Sequence, residues 1–311
     1  MPLLKRKRVL AAKIETTIGT AEALTASDAA FNVYNPMIQA SIEMEEREGQ
    51  GGFNYLTSVP AGRQGTATFR TNIEWDGTAT EPSWAETFLP ACGWVKSGGT
   101  YTPRSEAPGS NVKTLTIGCY VDGVFKSLAG AVGTFKIVMP TGKLAYIDWT
   151  FTGVWQAVTD VAIITPTYPT DSALRYAGGF AEWNNVNLCV SNVTIDAGNE
   201  VTMRECPTTT AGYISGIITS RKPVITCDPE AGTVAAQDRW GKWLDMSTHA
   251  LELSLDGPTT STLDITAPKA QVTNLQEGNR NKMVTDQIDF MCSKNGATHD
   301  QELSIVFTPA S

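Results

Sequence analysis

Two histidines, six cysteines and 32 carboxylates are the side chains from which these 311 residues would have to build catalysis or a metal site. His249 follows Thr248 at the end of a helix-like stretch, and His299 stands beside Asp300 in a loop-like one; neither has metal-ligand spacing to another histidine or to a cysteine. The cysteines (Cys92, Cys119, Cys189, Cys206, Cys227, Cys292) are scattered, with no Cys-x-x-Cys pair. Several lie inside strand patterns, as in Ile117-Gly118-Cys119-Tyr120 and Phe290-Met291-Cys292, where a thiol serves as a small hydrophobe. Reduced structural cysteines are therefore expected. No Gly-x-Ser-x-Gly, no phosphate loop and no Gly-x-Gly-x-x-Gly after a strand is present. Carboxylates are plentiful, but nothing singles out an acid/base pair. Asn192-Val193-Thr194 fits a glycosylation acceptor by pattern alone. The expectation is a chain that is not an enzyme and carries no cofactor and no metal.

The segments that would position any site read as β-structure. Threonine, glycine and valine recur throughout and long helical periodicity is absent. Residues 66–75 alternate: Thr66, Thr68, Arg70, Asn72 and Glu74 share one face, and Ala67, Phe69, Thr71, Ile73 and Trp75 share the other. Residues 114–121 form a strand closed by Asp122-Gly123. Residues 133–139 and 144–152 make a hairpin across Pro140-Thr141-Gly142-Lys143, with Ala145, Ile147, Trp149 and Phe151 inward and Tyr146, Asp148, Thr150 and Thr152 outward. Two short helices are expected. Residues 82–92 start with Pro82 and bury Trp84, Phe88 and Leu89; residues 235–247 carry Trp240, Trp243 and Leu244 on one face, weakened by Gly241. Further strands are expected at 188–195, 200–206, 251–255, 263–267, 284–292 and 303–307.

This order of elements occurs twice. Gly62-Arg63-Gln64-Gly65-Thr66-Ala67-Thr68-Phe69 precedes the Trp84 helix and the 114–120 strand; Ser220-Arg221-Lys222-Pro223-Val224-Ile225-Thr226-Cys227 precedes the Trp240 helix and the 251–255 strand. Identity between the halves is low, so the match is one of order. The length suits two domains, each able to bury a core. The expected division is an N-terminal arm and first strand over 1–35, a first domain over 36–155, a linker over 156–186 with the extended Thr165-Pro166-Thr167-Tyr168-Pro169, and a second domain over 187–311.

Charge is uneven. The formal net is −8, from 24 basic and 32 acidic residues; residues 1–13 hold five basic groups (Lys5, Arg6, Lys7, Arg8, Lys13) and no acidic one, which leaves 19 basic groups against 32 acidic ones in the rest. So acidic a body is a poor grip on duplex DNA and suits a surface that must not hold it. The basic start lacks the apolar segment of a secretory signal, and cytoplasmic synthesis is expected. No apolar run reaches the roughly 18 residues that span a bilayer, so no membrane partner is expected. A second concentration of charge, Glu43-Met44-Glu45-Glu46-Arg47-Glu48, opens into Gly49-Gln50-Gly51-Gly52-Phe53-Asn54-Tyr55. A charged strand running into a glycine-rich tip reads as a long exposed hairpin or loop.

The opening Leu10-Ala11-Ala12-Lys13-Ile14-Glu15-Thr16-Thr17-Ile18-Gly19-Thr20, with Asp28-Ala29 and Asn35-Pro36, resembles the start of major tail tube proteins of long-tailed bacteriophages. The order after it is similar as well: an acidic hairpin before Gly62-Arg63-Gln64-Gly65, a Trp-bearing helix leading to Ala91-Cys92-Gly93, then Val121-Asp122-Gly123, Leu128-Ala129-Gly130-Ala131-Val132-Gly133 and a hairpin ending Phe151-Thr152-Gly153. The likeness covers most of residues 9–155 and, more weakly, 190–307. It implies a mainly β chain of two tandem β-sandwich or barrel domains, each flanked by a short α-helix. The family's members form rings that stack into a tube for genome passage; two-domain members close three copies into a pseudo-hexameric ring. The implied partners are copies of the chain itself, a tape measure protein, a tail terminator and distal tail proteins, with DNA passing unspecifically. The implied location is the virion tail, assembled in the host cytoplasm.

On that reading the wet strand faces line the lumen, where carboxylates repel phosphate. The candidates are Glu74 and Asp148 in the first copy and Asp228, Asp264 and Asp289 in the second. Ring stacking is expected to use the acidic hairpin, through Glu43, Glu45, Glu46, Glu48, Phe53 and Tyr55, against the basic arm Lys5, Arg6, Lys7 and Arg8. Two other readings stay open: a different virion or secretion-tube structural protein on the same fold, and a carbohydrate-binding β-sandwich module whose stacking rings would come from Trp75, Trp94, Trp149, Trp155 and Trp183.

Overall fold

A computed structural model describes residues 3–310. Nearly every stretch that alternates apolar and polar residues is a strand, and all named strand pairings are antiparallel. The first half contains β1 (Arg8–Ile14), β2 (Val33–Glu48), β3 (Tyr55–Asn72), helix α1 (Ser83–Phe88), β4 (Trp94–Ser97), β5 (Thr100–Pro103), β6 (Leu115–Val121), β7 (Val124–Pro140) and β8 (Tyr146–Trp155). A connecting region holds β9 (Thr159–Asp160), β10 (Phe180–Trp183) and β11 (Val186–Asn187). The second half contains β12 (Asn192–Asp196), β13 (Asn199–Glu205), β14 (Tyr213–Arg221), β15 (Val224–Cys227), helix α2 (Arg239–Leu244), β16 (Thr248–Asp256), β17 (Thr262–Arg280), β18 (Met283–Cys292) and β19 (Ser304–Thr308).

The pairing order repeats. In the first half β1 pairs with β6, β6 with β7, β7 with β8, β8 with β3 and β3 with β2. In the second half β10 pairs with β16, β16 with β17, β17 with β18, β18 with β15 and β15 with β12. The two ladders even share an irregularity. Leu115 and Ile117 face Ala131 and Leu128, so β7 carries one extra residue; His249 and Leu251 face Ala270 and Ala267, so β17 carries one too. The helices also occupy matching places, α1 between β3 and β6 and α2 between β15 and β16.

The two ladders are joined edge to edge. β12 lies against β7, with Asn192 opposite Pro140 and Asp196 opposite Lys136, and β19 meets β5 at Ile305–Tyr101. One hydrophobic cluster runs through both halves, from Phe69, Phe88, Trp149 and Phe151 to Val193, Ile225, Leu253 and Phe290. Trp149 packs with Phe69, Trp84, Phe88, Phe135 and Phe151 at ring-centroid distances of 5.2–6.4 Å. The expected inward positions Ala67, Phe69, Thr71, Ile73, Trp75, Ala145, Ile147, Trp149 and Phe151 are all buried.

Three expectations need correction. Residues 156–186 are more than a linker, because Leu174, Tyr176, Ala181 and Trp183 enter the shared core and β10 belongs to the second ladder. The second helix spans six residues, Arg239–Leu244, started by Asp238, whose carboxylate accepts from Gly241 N at 2.7 Å. Its apolar side faces outward: Trp240 and Leu244 are exposed, and only Trp243 packs on the core. Last, β17 runs on to Arg280, well beyond 267, because its second half pairs with β18 down to Arg280–Met283. That extension is polar (Thr273, Asn274, Gln276, Glu277), which hides it from a hydrophobic pattern.

Trp149→Ala should destabilise the fold by about 3–5 kcal/mol, the usual range for truncating a buried aromatic. Leu244→Ser, at a position 80% exposed, should shift stability by no more than about 0.5 kcal/mol. Denaturant midpoints of the two variants check the pair. Equal losses would mean that the core does not lie where Trp149 places it.

Candidate functional site

Two surfaces stand out: a polar sheet face and a projecting arm. The polar face follows from the strand period. With Ile147, Trp149 and Phe151 turned into the core, Tyr146, Asp148, Thr150 and Thr152 must point the other way. Register then aligns charges across four strands: Asp196 on β12 faces Lys136 on β7, Lys136 faces Asp148 on β8, and Asp148 faces Arg70 on β3. Arg70 donates to Asp148 from Nε at 2.7 Å and from Nη2 at 2.9 Å, a two-pronged contact. Its guanidinium also lies over the Tyr146 ring at 3.7 Å. Lys136 Nζ reaches Asp196 Oδ2 at 3.4 Å, across the joint between the two halves.

The five carboxylates expected to line a lumen therefore differ in environment. Asp148 sits on the polar face but is charge-balanced by Arg70. Asp289 is on the polar face of β18 and accepts from Thr226 Oγ1 at 2.7 Å and Asn274 Nδ2 at 3.0 Å. Asp264 lies on the polar side of the first half of β17, bound by Ser254 Oγ and Thr262 Oγ1. Asp228 follows β15 and accepts from the backbone N–H groups of Ser191 and Asn192, with Arg280 at 3.6 Å; it holds a turn.

Glu74 is a correction. It is only 9% exposed and lies beyond the end of β3, where its carboxylate accepts from Asn32 Nδ2 at 2.6 Å. The segment around Pro169 and Asp171 folds over it, which the alternation of β3 alone does not reveal. Burial pushes its carboxyl above the ordinary glutamate range; the Asn32 bond opposes that shift and Asp171 adds to it.

The arm is the outer part of the β2–β3 hairpin. Glu48 pairs with Tyr55, and residues 49–54 form the tip. Glu43, Glu45, Glu46, Glu48, Phe53 and Tyr55 are all exposed, as expected, and Phe53 is fully so. The four glutamates make no ion pair among the described residues. Unforeseen from the charge pattern is how much apolar surface the arm also shows, at Ile42, Met44, Leu56 and Val59. The basic segment is not brought to the acidic one. Lys5 and Arg6 are exposed, Lys7 pairs with Asp122 at 3.4 Å, and Arg8 Nη1 donates to Pro36 O at 2.9 Å, at the base of β2.

The matching hairpin of the second half, β13–β14, does not project. It lies on the first half. Asn199 Nδ2 donates to Cys92 O at 2.8 Å and Gly133 O at 2.9 Å, and Arg63 N donates to Ala211 O at 3.0 Å. The approach is close at Gly130, whose φ of +59° suits glycine and where a Cβ would meet Ile214 O at 2.8 Å.

No cluster of three or more His, Cys, Asp or Glu side chains stands at metal-binding distance among the described residues. All six cysteines are free thiols; Cys92, Cys119, Cys227 and Cys292 are buried. Burial pushes the Cys119 thiol up to about 11 and the Cys292 thiol up to about 12. The rings proposed for sugar stacking are inside: Trp75, Trp94, Trp149 and Trp183 are at most 1% exposed, and Trp155 packs against the core. That removes the stacking surface on which the carbohydrate-binding reading rested. No protein-family model matches this sequence, and no curated protein matches it.

The raised carboxyl of Glu74 gives a pH signature. A carboxyl whose pKa is higher folded than unfolded contributes stability below the unfolded value, about 4.3 for glutamate, and that contribution is lost as pH rises through the folded value. Glu74→Gln keeps an acceptor for Asn32 and cannot ionise. Its melting temperature relative to wild type should therefore rise as pH goes from about 4 to 7. A difference that stays flat with pH would show that Glu74 ionises as freely in the fold as out of it.

Proposed function

We propose that this chain is a structural protein that associates with copies of itself into rings, and that the rings stack into a tube of the kind that forms the tail of long-tailed phages. One observation carries the reading: the repeated ladder, in which the second unit is already joined to the first through β12 and β7. A unit that binds its own repeat edge to edge has the geometry of a heterologous contact, which closes into a ring when the rotation per step divides a full turn. Two units per chain make a three-chain ring pseudo-hexameric. The resemblance of 9–155 in order and motif supplies the tube; the joined repeat supplies the ring.

The polar sheet faces would turn toward the channel. In the first repeat that face is a balanced ladder, Asp196–Lys136–Asp148–Arg70, beside Thr66, Thr68 and Thr150, while β13–β14 lies over its far end, where Asn199 N donates to Thr134 Oγ1 at 3.3 Å. In the second it is Thr226, Asn274, Gln276 and Asp289. Such a lining offers DNA no run of unpaired cations to hold it by, while the net acidic body opposes retention. The mechanism shifts from simple repulsion by bare carboxylates to a neutral, hydrated track in an acidic protein. The partners on this reading are further copies of the chain, a tape measure protein inside the tube, and terminator and distal tail proteins at its ends. Assembly takes place in the host cytoplasm.

Native mass measurement of single rings should give three chains; six would remove the pseudo-hexamer and keep the ring. Deleting residues 49–54, a solvent-exposed tip outside the hydrophobic core cluster, should leave a folded chain that no longer forms tubes in negative-stain images. Normal tubes from the deletion variant would contradict a role for the arm in assembly.

A further inference from the structure

We infer that the β2–β3 arm of one copy docks on the second repeat of a neighbouring copy, beside β17 and over the end of α2, as β13–β14 docks on the first repeat within the chain. This rests on the self-association proposed above and goes further, because it moves the arm from between rings to the lateral joint inside a ring.

The internal joint is the template. The two hairpins correspond residue for residue at their bases. Ile42 faces Arg63 and Met44 faces Pro60, with a bulge between; Asn199 faces Arg221 and Val201 faces Ile218, with the same bulge. The second-repeat hairpin uses these positions to grip the first repeat. Asn199 reaches the carbonyls of Cys92, just after α1, and of Gly133 on β7. Ile218 covers Gly93, where a Cβ would meet its Cδ1 at 3.1 Å. Below them β12 adds to the edge of β7.

Both halves of the same joint lie open elsewhere in the chain. The arm shows Ile42, Met44, Leu56 and Val59 to solvent. At the end of α2 and just past it, on the side of the second repeat that corresponds to the α1 side of the first, Leu244 is 80% and Met246 71% exposed. The edge of β17 over residues 276–280 is paired with β18 on one side and with no other strand among the described residues, while β2 is paired with β3 alone. Transferring the β12–β7 register by the shared bulges sets Gln39 opposite Gln276 and Met37 opposite Gly278. An open strand edge and an apolar patch are the features that association covers. Charge agrees. The arm has four glutamates against Arg47, and the receiving face, the end of α2 with the neighbouring parts of β16 and β17, has Lys242, Lys269 and His249 against Asp245; burial first and then the two lysines push the imidazole down, with Asp245 opposing them. The occupant is therefore a second copy of this chain, joined head to tail.

The test uses two variants of the full chain with changes at exposed positions only, Ile42→Ser with Met44→Ser on the arm, and Leu244→Glu with Lys269→Glu on the receiving face, at the end of α2 and on β17. Circular dichroism and melting should match wild type for both. Each variant alone should be monomeric by light scattering. An equimolar mixture should give a two-chain complex and stop there, because the intact arm of one fits the intact receiving face of the other and the remaining faces are both altered. Arm variants that still form single rings but no tubes would overturn the inference in favour of contact between rings. Tubes that form with both faces altered would overturn it and leave the tube reading standing. If wild type forms rings through these faces but never stacks, the inference holds and the tube reading fails.

Discussion

An open β-strand edge is the constraint around which this chain is organised. Backbone N–H and C=O groups at an edge must find partners or water, and a sheet this extensive presents many of them. Within the chain, β12 settles the matter for β7 over residues 136–140. Each bond of such a ladder contributes about 0.5–1.5 kcal/mol net. The larger effect is geometric. Once β12 is fixed to β7, the second ladder has one orientation to the first, the two aromatic layers meet as one core, and β13–β14 is directed across the face of the first repeat.

The charge distribution follows from the same register. Lys136 stands between Asp196 and Asp148 only because β12, β7 and β8 are neighbours at that level. Exposed ion pairs of this kind stabilise little, roughly 0–1 kcal/mol each, so the ladder matters more as a surface than as a brace. Glu15 is the contrasting case. It is buried and accepts from Thr114 Oγ1, Thr116 Oγ1, Gly130 N and Gly19 N, so its lone pairs are used inside the protein and it ties the end of β1 to β6 and the β7 bulge.

The two helices show how equal places in a repeat acquire different uses. α1 buries Trp84 and Phe88 beneath Phe307 of β19 and against Trp149. α2 has Arg239 paired with Asp286 inside and leaves Trp240 and Leu244 outside. The sequence places a tryptophan in both and cannot tell them apart, since periodicity reports that a face is apolar, not what covers it.

Alternation by itself determined the β class, the inward rows of β3 and β8, the α1 stripe, the exposed acidic arm and the repeated order of elements, because each depends on side chains two or four residues apart. Tertiary structure alone decided the rest. Whether Glu74 is wet depends on a segment about a hundred residues away, whether Asp148 is a bare charge depends on Arg70, and whether residues 156–186 are a spacer depends on which core receives Trp183. The polar second half of β17 is a strand only because β18 returns along it. Such features arise from contacts between residues distant in the chain, for which a local pattern carries no signal.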